Sequence, residues 1–307
     1  MINKNSRYFK QAELLVRVLP WIAKYDCFAL KGGTAINFFV QDMPRLSVDI
    51  DLTYLPIQER DESLKGIEKT LRQIANDIRS HLPGSIVEEG AIQAPKMINK
   101  LQVSMNGIQI KVEPNLVIRG TVFPCRDLDL APGVQAAFEM SATMKVVSLA
   151  DLYGGKICAA LDRQHPRDLF DISVLLKGGG LTKEIQKGFL VYLISHDRPI
   201  HELLQPVLRD MRHEFETDFR GMANDLFTVE DLIEARRQLI ELVTQGLSPS
   251  DKEFLVSFKS GEPQWSLLGI DGVERLPAVR WKMANLQKTD KDKRALYVKK
   301  LRSALNK

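Results

Sequence analysis

The chain has 307 residues, 44% of them hydrophobic and 27% charged, a balance that excludes a disordered or low-complexity protein. No apolar run approaches the roughly 18–20 residues of a membrane span, and Cys27, Cys125 and Cys158 are too scattered for a disulfide framework or a zinc site. The net charge of +4 hides an asymmetry: from Leu276 onward ten basic residues face only Asp290 and Asp292, so the tail is strongly basic and the body mildly acidic. A basic tail suits phosphate-rich partners.

The first residues, MINKNSRYFKQAELL, lack the apolar core of a secretory leader, so a cytoplasmic protein is expected, with no membrane partner. Ala12, Leu15, Val16, Leu19 and Ile22 repeat at helical spacing and predict a helix over 9–24, which Pro20 ends early or kinks. Cys27-Phe28-Ala29-Leu30 reads as a short strand, stopped by Lys31-Gly32-Gly33-Thr34, a tight turn into a helix over 35–40 that Pro44 closes. Leu46 to Thr53 alternates polar and aliphatic residues, the mark of a strand with one polar face. A long amphipathic helix follows over 58–81. Strands are then expected near 85–88, 101–105 and 109–113, the last two joined by the hairpin dipeptide Asn106-Gly107, with a further extended piece at 145–148.

From Leu149 the pattern becomes helical: 149–161 and 169–176, a break at Gly178-Gly179-Gly180, then near-continuous helix over 183–243 interrupted by Pro199 and Pro206. Residues 261–277 read as loop-rich, and Trp281, Leu286, Leu296, Tyr297, Val298 and Leu301 predict a packed helix within the basic tail. The order implies an α+β fold: a mixed sheet flanked by helices over 1–148, and a mostly helical domain with the basic tail over 149–307.

The sharpest chemical signal is Gly32-Gly33-Thr34 followed by Asp49-Ile50-Asp51. Residues two apart on a strand share a face, so Asp49 and Asp51 project together while Val48, Ile50 and Leu52 face the core. Adjacent carboxylates repel unless a cation lies between them. Hard oxygen donors suit Mg²⁺, which takes one or two carboxylates plus substrate phosphates. A Gly-Gly-Thr turn at a helix start offers backbone N–H groups and a hydroxyl to phosphate. Together these are the minimum equipment for phosphoryl or nucleotidyl transfer. Neither a Walker A loop nor a GxGxxG fingerprint is present. Glu113, ending a strand expected beside the Asp-x-Asp strand, is the candidate third acid. It is equally readable as a strand-end surface acid.

Lys31-Gly32-Gly33-Thr34-Ala35 and Arg45-Leu46-Ser47-Val48-Asp49-Ile50-Asp51-Leu52 resemble the motifs of the AbiEii nucleotidyltransferase toxins, the toxin halves of type IV toxin–antitoxin systems, within the DNA polymerase β-like superfamily. Lys111-Val112-Glu113-Pro114-Asn115 matches the third-acid strand. Leu152 to Ala160, with Lys156, and Arg167-Asp168-Leu169-Phe170-Asp171 resemble the lysine-plus-RDxxD helical motif, and Pro277 to Leu286 resembles the C-terminal segment. Thr34 stands where the family often has Ser, and Glu113 where the wider superfamily usually has Asp.

The resemblance implies an Mg²⁺-dependent enzyme of abortive infection that moves a nucleotide from an NTP to an RNA hydroxyl, a tRNA end being a candidate, with a cognate antitoxin encoded nearby. It implies that Asp49, Asp51 and Glu113 hold metal, or that Glu113 serves as base. Gly32, Gly33 and Thr34 would bind phosphate with Lys156 and Arg167, and Asp168 or Asp171 would orient Lys156 while the other caps its helix. Lys156 points its ammonium into a cleft on this view; the alternative is a surface lysine. His165 is expected to be a plain loop residue. Two other functions stay open: transfer to a protein or small molecule, and a non-catalytic RNA- or partner-binding module.

Overall fold

The computed structural model describes residues 3–93, 96–223 and 227–306. The chain divides into two compact units. One comprises Met1–Ser148 with Phe219–Phe227; the other comprises Leu149–Asp218 with Thr228–Lys307.

In the first unit, α1 spans Arg7–Ala23 and buries Ala12, Leu15, Val16, Leu19 and Ile22. Its N-cap Ser6 accepts from the Phe9 amide. Pro20 neither ends nor shortens it: the helix runs on to Ala23, because Pro20 removes one bond in the last turn while Val18, Leu19 and Ile22 stay packed. Strand β1, Phe28–Lys31, leads into α2, Gly32–Ala35, which continues as a π-turn over Ile36–Val40. Strand β2 is Asp49–Tyr54, followed by α3, Arg60–His81. Then come β3 (Ile86–Gln93), β4 (Lys96–Met105) and β5 (Ile108–Asn115). Asn106 and Gly107 both have positive φ, 51° and 76°, the primed-turn geometry a two-residue hairpin needs.

Two further elements leave no mark in the sequence pattern. Strand β6, Arg126–Asp129, is an almost wholly exposed edge strand of mostly charged residues, and α4, Pro132–Phe138, is a two-turn helix started by proline. Strand β7, Thr143–Val146, lies two residues earlier than the alternation suggests. The seven strands form one sheet in the order β3-β4-β5-β2-β1-β7-β6. The β2–β5 and β1–β7 pairs are parallel and the others antiparallel. The centre of this sheet is therefore β5-β2-β1, the strands that carry the acidic and glycine motifs.

The second unit is helical: α5 (Leu149–Arg163), α6 (Pro166–Lys177), α7 (Lys183–Ser195), α8 (Ile200–Leu204), α9 (Arg212–Glu214), α10 (Val229–Gln245), α11 (Pro249–Ser260), α12 (Trp265–Leu268), α13 (Pro277–Lys288) and α14 (Lys291–Leu305). Helices α5 and α7 touch backbone to backbone, since a Cβ on Gly154 would lie 2.7 Å from the Gly188 carbonyl carbon. Capping boxes at Thr228/Asp231 and Ser248/Asp251 start α10 and α11. The basic tail is two helices, and α14 packs on α11 and α8 through Leu301, Ala304 and Leu305. No described helix is long and apolar enough to cross a membrane.

The helical run expected over 183–243 is broken three times, between α7 and α8 at Pro199, between α8 and α9, and again before α10. The last break is where the chain re-enters the first unit. The Leu46 amide donates to the Met222 carbonyl (2.7 Å), Arg45 bridges to Ala223, and Met222 is fully buried. Backbone pairing and apolar burial together override helical periodicity there.

Candidate active site

The first group of candidate residues is built by β1, α2, β2 and β5. Gly32 has φ +71°, a conformation that a side chain disfavours. A Cβ at this position would also overlap Asp51 Oδ2. A Cβ on Gly33 would lie 2.7 Å from Arg45 Nη2 and 3.2 Å from Ser47 Oγ. Gly32 is thus required by the close approach of Asp51, and Gly33 is approached by the Arg45–Ser47 stretch that leads into β2. Thr34 is completely buried. Its hydroxyl donates to the Asp49 carbonyl (2.6 Å) and lies 2.9 Å from Ser47 Oγ, so it fastens the turn to the start of β2. Asn37 Nδ2 closes the turn from the other side by donating to the Gly33 carbonyl (2.8 Å).

Asp49 and Asp51 are half-buried on one face of β2, while Ile50 and Leu52 are fully buried on the other. Parallel register sets Lys111 of β5 beside Asp49 and Glu113 beside Asp51, and antiparallel register sets Lys31 of β1 opposite Asp51. Glu113 therefore shares the acidic face, half-buried. Among the described residues, however, no group of three or more His, Cys, Asp or Glu side chains converges closely enough to hold a metal.

Arg45 is the residue in this group that sequence reasoning left out of the site. It is 2% exposed, donates from Nη1 to the Leu46 carbonyl (2.8 Å), and sets its guanidinium against Gly33. A buried positive charge under a glycine turn favours an anion above it. The available signal was its place four residues before Asp49.

The second group lies within the helical unit. Lys156 Nζ is 2.8 Å from Asp168 Oδ1 and 2.9 Å from Asp171 Oδ2, and Arg163 Nη2 is 2.8 Å from Asp168 Oδ2. Lys156 is 8% exposed and the two aspartates 3% and 0%. Asp168 and Asp171 are three apart on α6, hence neighbours on its surface. Burial pushes the Asp168 carboxyl up, but the Lys156 ammonium and then the Arg163 guanidinium outweigh it and hold the group down at about 2.

Three expectations change here. Both aspartates pair with Lys156, so neither is left to cap the helix. The cap is His165, whose Nδ1 accepts from the Arg167 amide (3.2 Å). Lys156 is not a surface lysine: it is buried, and two carboxylates hold its ammonium. Arg167 is half-buried in the first turn of α6. The turn before α6 is fixed by Gln164, at φ +54°, whose side chain bonds the Val207 carbonyl, the Arg209 amide and Arg236 Nη1. Another buried acid, Asp151, accepts from the Tyr192 hydroxyl (3.3 Å).

A family model described as nucleotidyl transferase AbiEii toxin, type IV toxin–antitoxin system, matches residues 13–255. Among solved structures, MenT4, the nucleotidyltransferase toxin Rv2826c from Mycobacterium tuberculosis H37Rv, is similar in fold, with a TM-score of 0.60 at 14% identity over 91% of this chain and 93% of that one. No curated protein matches. At that identity the structural likeness speaks for the fold, whereas the family match covers most of the chain and includes both groups of acids. With its mixed sheet, glycine turn and paired aspartates, the chain belongs to the AbiEii family of nucleotidyltransferase toxins of type IV toxin–antitoxin systems.

Proposed function

We propose that the protein transfers a nucleotide from an NTP to an RNA hydroxyl with release of pyrophosphate, a tRNA end being the first acceptor to test, with Mg²⁺ and in the cytoplasm. The observation that carries this reading is the Asp49/Asp51 pair on one strand face, with Asp51 drawn against Gly32, which admits no Cβ. The donor set fits the ion. Two carboxylates offer hard oxygens, and Mg²⁺ commonly takes one or two carboxylates with substrate phosphates supplying the rest. Asp49 and Asp51 would hold it, and when bound it would supply charge neutralisation on the triphosphate.

The remaining roles belong to the chain's own groups. Backbone N–H groups at Gly32 and Gly33 receive phosphate oxygens, with the buried Arg45 guanidinium adding positive potential beneath them. Thr34, whose hydroxyl faces inward, keeps that turn in place against β2. Glu113, in register with Asp51, accepts the proton of the attacking hydroxyl. Within the helical unit, Asp168 and Asp171 are positioning residues for Lys156, and Arg167 stands in the first turn of the same helix as the two acids. Such transfer would arrest growth, in the manner of abortive infection, until a cognate antitoxin encoded nearby restrains it.

The test is incubation of the full chain with radiolabelled NTPs, Mg²⁺ and total RNA. Label in RNA, lost with Asp51→Asn, is expected. Label in protein or a small molecule would replace the acceptor class, and no transfer to any acceptor would overturn the enzymatic reading.

A further inference from the structure

Folding concentrates positive charge in the helical unit beyond what the sequence run supplies. Lys259 of α11 and Lys293 of α14 both lie over the Tyr297 ring, at 4.7 and 6.0 Å from its centroid. Lys282 of α13 lies 5.6 Å from the Trp281 ring and donates to the Asp197 carbonyl (3.1 Å). Lys259 and Lys282 are half-buried. Burial lowers the proton affinity of both, and Lys259 lowers that of Lys282 further, with Asp197 opposing. On α8, His201 is held below its ordinary value by burial and then by Lys300 and Lys259, against the opposing pull of Glu202. Its Nδ1 is buried without a hydrogen-bond partner among the described residues.

These groups come from four helices, and like charges crowd where few acids answer them. Asp290, one of the two acids of the tail, is occupied as the N-cap of α14, accepting from the Asp292 and Lys293 amides. Crowded, partly desolvated ammonium groups are costly unless an anion covers them. Beside them Trp281 is 50% exposed, between Arg280 and Lys282 in sequence. An indole left in water next to cations is a platform for a nucleobase, and base–aromatic stacking combined with phosphate contacts is how single strands are held.

We propose that α8, α11, α13 and α14 form a docking surface for single-stranded RNA, with Lys259, Lys282 and Lys300 on phosphates and Trp281 stacked on a base. The surface rests on the reading of RNA as the acceptor and specifies where that RNA is held. An acidic peptide is the lesser fit: the lysines match dispersed phosphates, and the large apolar side chains left exposed on these helices are one indole and the 51%-exposed Leu296.

The test uses the full chain as Asp49→Asn/Asp51→Asn, so that binding is read without transfer. A fluorescein-labelled single-stranded RNA is titrated by anisotropy at several salt concentrations, with tryptophan emission followed in parallel. Quenching of emission is expected, and Trp281→Leu should remove most of it and weaken binding about tenfold. Lys259→Gln/Lys282→Gln should reduce the slope of log K against log salt by about 1.4, the counterions of two phosphate contacts. An unchanged slope and affinity in that double variant overturn the surface, as does a poly-glutamate peptide that competes as well as unlabelled RNA. The two readings fail separately. Transfer to RNA with binding indifferent to these substitutions leaves the enzyme and removes the surface. Binding that obeys them, without transfer by the wild-type chain, leaves the surface and removes the enzyme.

Discussion

Asp51 Oδ2 occupies the space that a side chain on Gly32 would fill. The glycine and the acid are therefore one structural feature, and a methyl group at 32 must displace the carboxylate. Gly32→Ala also places a side chain at φ +71°, at a cost of about 1–2 kcal/mol. We expect transfer to fall at least about 100-fold, the order of a misplaced catalytic group, with the melting temperature lowered by only a few degrees. Undiminished transfer in a folded Gly32→Ala protein would show that Asp51 is not needed where it stands.

Asp49→Asn and Asp51→Asn keep the shape of each side chain and remove one of two repelling charges. Both should abolish nucleotide transfer while changing stability by less than about 1 kcal/mol, since each side chain is only half-buried on a polar strand face. Thermal melts alongside the labelled-NTP assay separate the two effects. A large loss of stability would make these acids structural rather than chemical.

Lys156→Ala is a stability experiment before it is a kinetic one. It leaves Asp168 and Asp171 buried without the ammonium that joins them. Breaking a buried pair in this way costs about 3–5 kcal/mol. Urea unfolding should show that loss, and adding Asp168→Asn and Asp171→Asn should recover part of it. A cost below about 1 kcal/mol would mean the pairing does not persist in solution.

Acid should find the same cluster. The Asp168 carboxyl is lowered from 3.8 to about 2 in the folded chain, so its contribution is fully present above the unfolded value, near pH 4, and disappears as pH falls toward 2. The expected contribution above pH 4 is about 2 kcal/mol. Asp168→Asn should flatten the acid limb of the stability curve between pH 4 and 2 while lowering stability at pH 7. An unchanged acid limb would contradict the depressed value.

Arg119 follows the opposite logic. It is 6% exposed, and its Nε and Nη1 are buried with no hydrogen-bond partner among the described residues. Burial lowers its proton affinity, and Arg60 adds like-charge repulsion. Glu59 offsets this only in part, and replacing a poorly compensated buried charge by an apolar side chain of similar length is often neutral or stabilising. Arg119→Met should therefore hold or raise the unfolding midpoint in urea; a loss above about 2 kcal/mol would show that the guanidinium has a partner in solution.

What was legible in the sequence is what leaves a periodic or conformational trace. Alternation over 46–53 showed which side of β2 carries Asp49 and Asp51, and Asn106-Gly107 marked the β4–β5 turn because positive φ is demanded there. Side-chain direction leaves no such trace. Whether the Thr34 hydroxyl faces a ligand or the Asp49 carbonyl depends on a neighbouring strand, and the shared hold of Asp168 and Asp171 on Lys156 depends on how α5 meets α6. The charged edge strand β6 has no apolar alternation to detect, since it buries almost nothing. Arg45 was visible as a motif residue, but its contact with Gly33 is a matter of packing.

The return of Phe219–Phe227 to the first unit has a consequence for heredity and for engineering. The backbone crosses from one unit to the other three times, so neither is a contiguous stretch of gene. A fragment cut after Ser148 would lack Met222 and leave the Leu46 amide without its acceptor, and recombination at that point would graft an incomplete scaffold. The two units are accordingly expected to be inherited, swapped and truncated only as a single block.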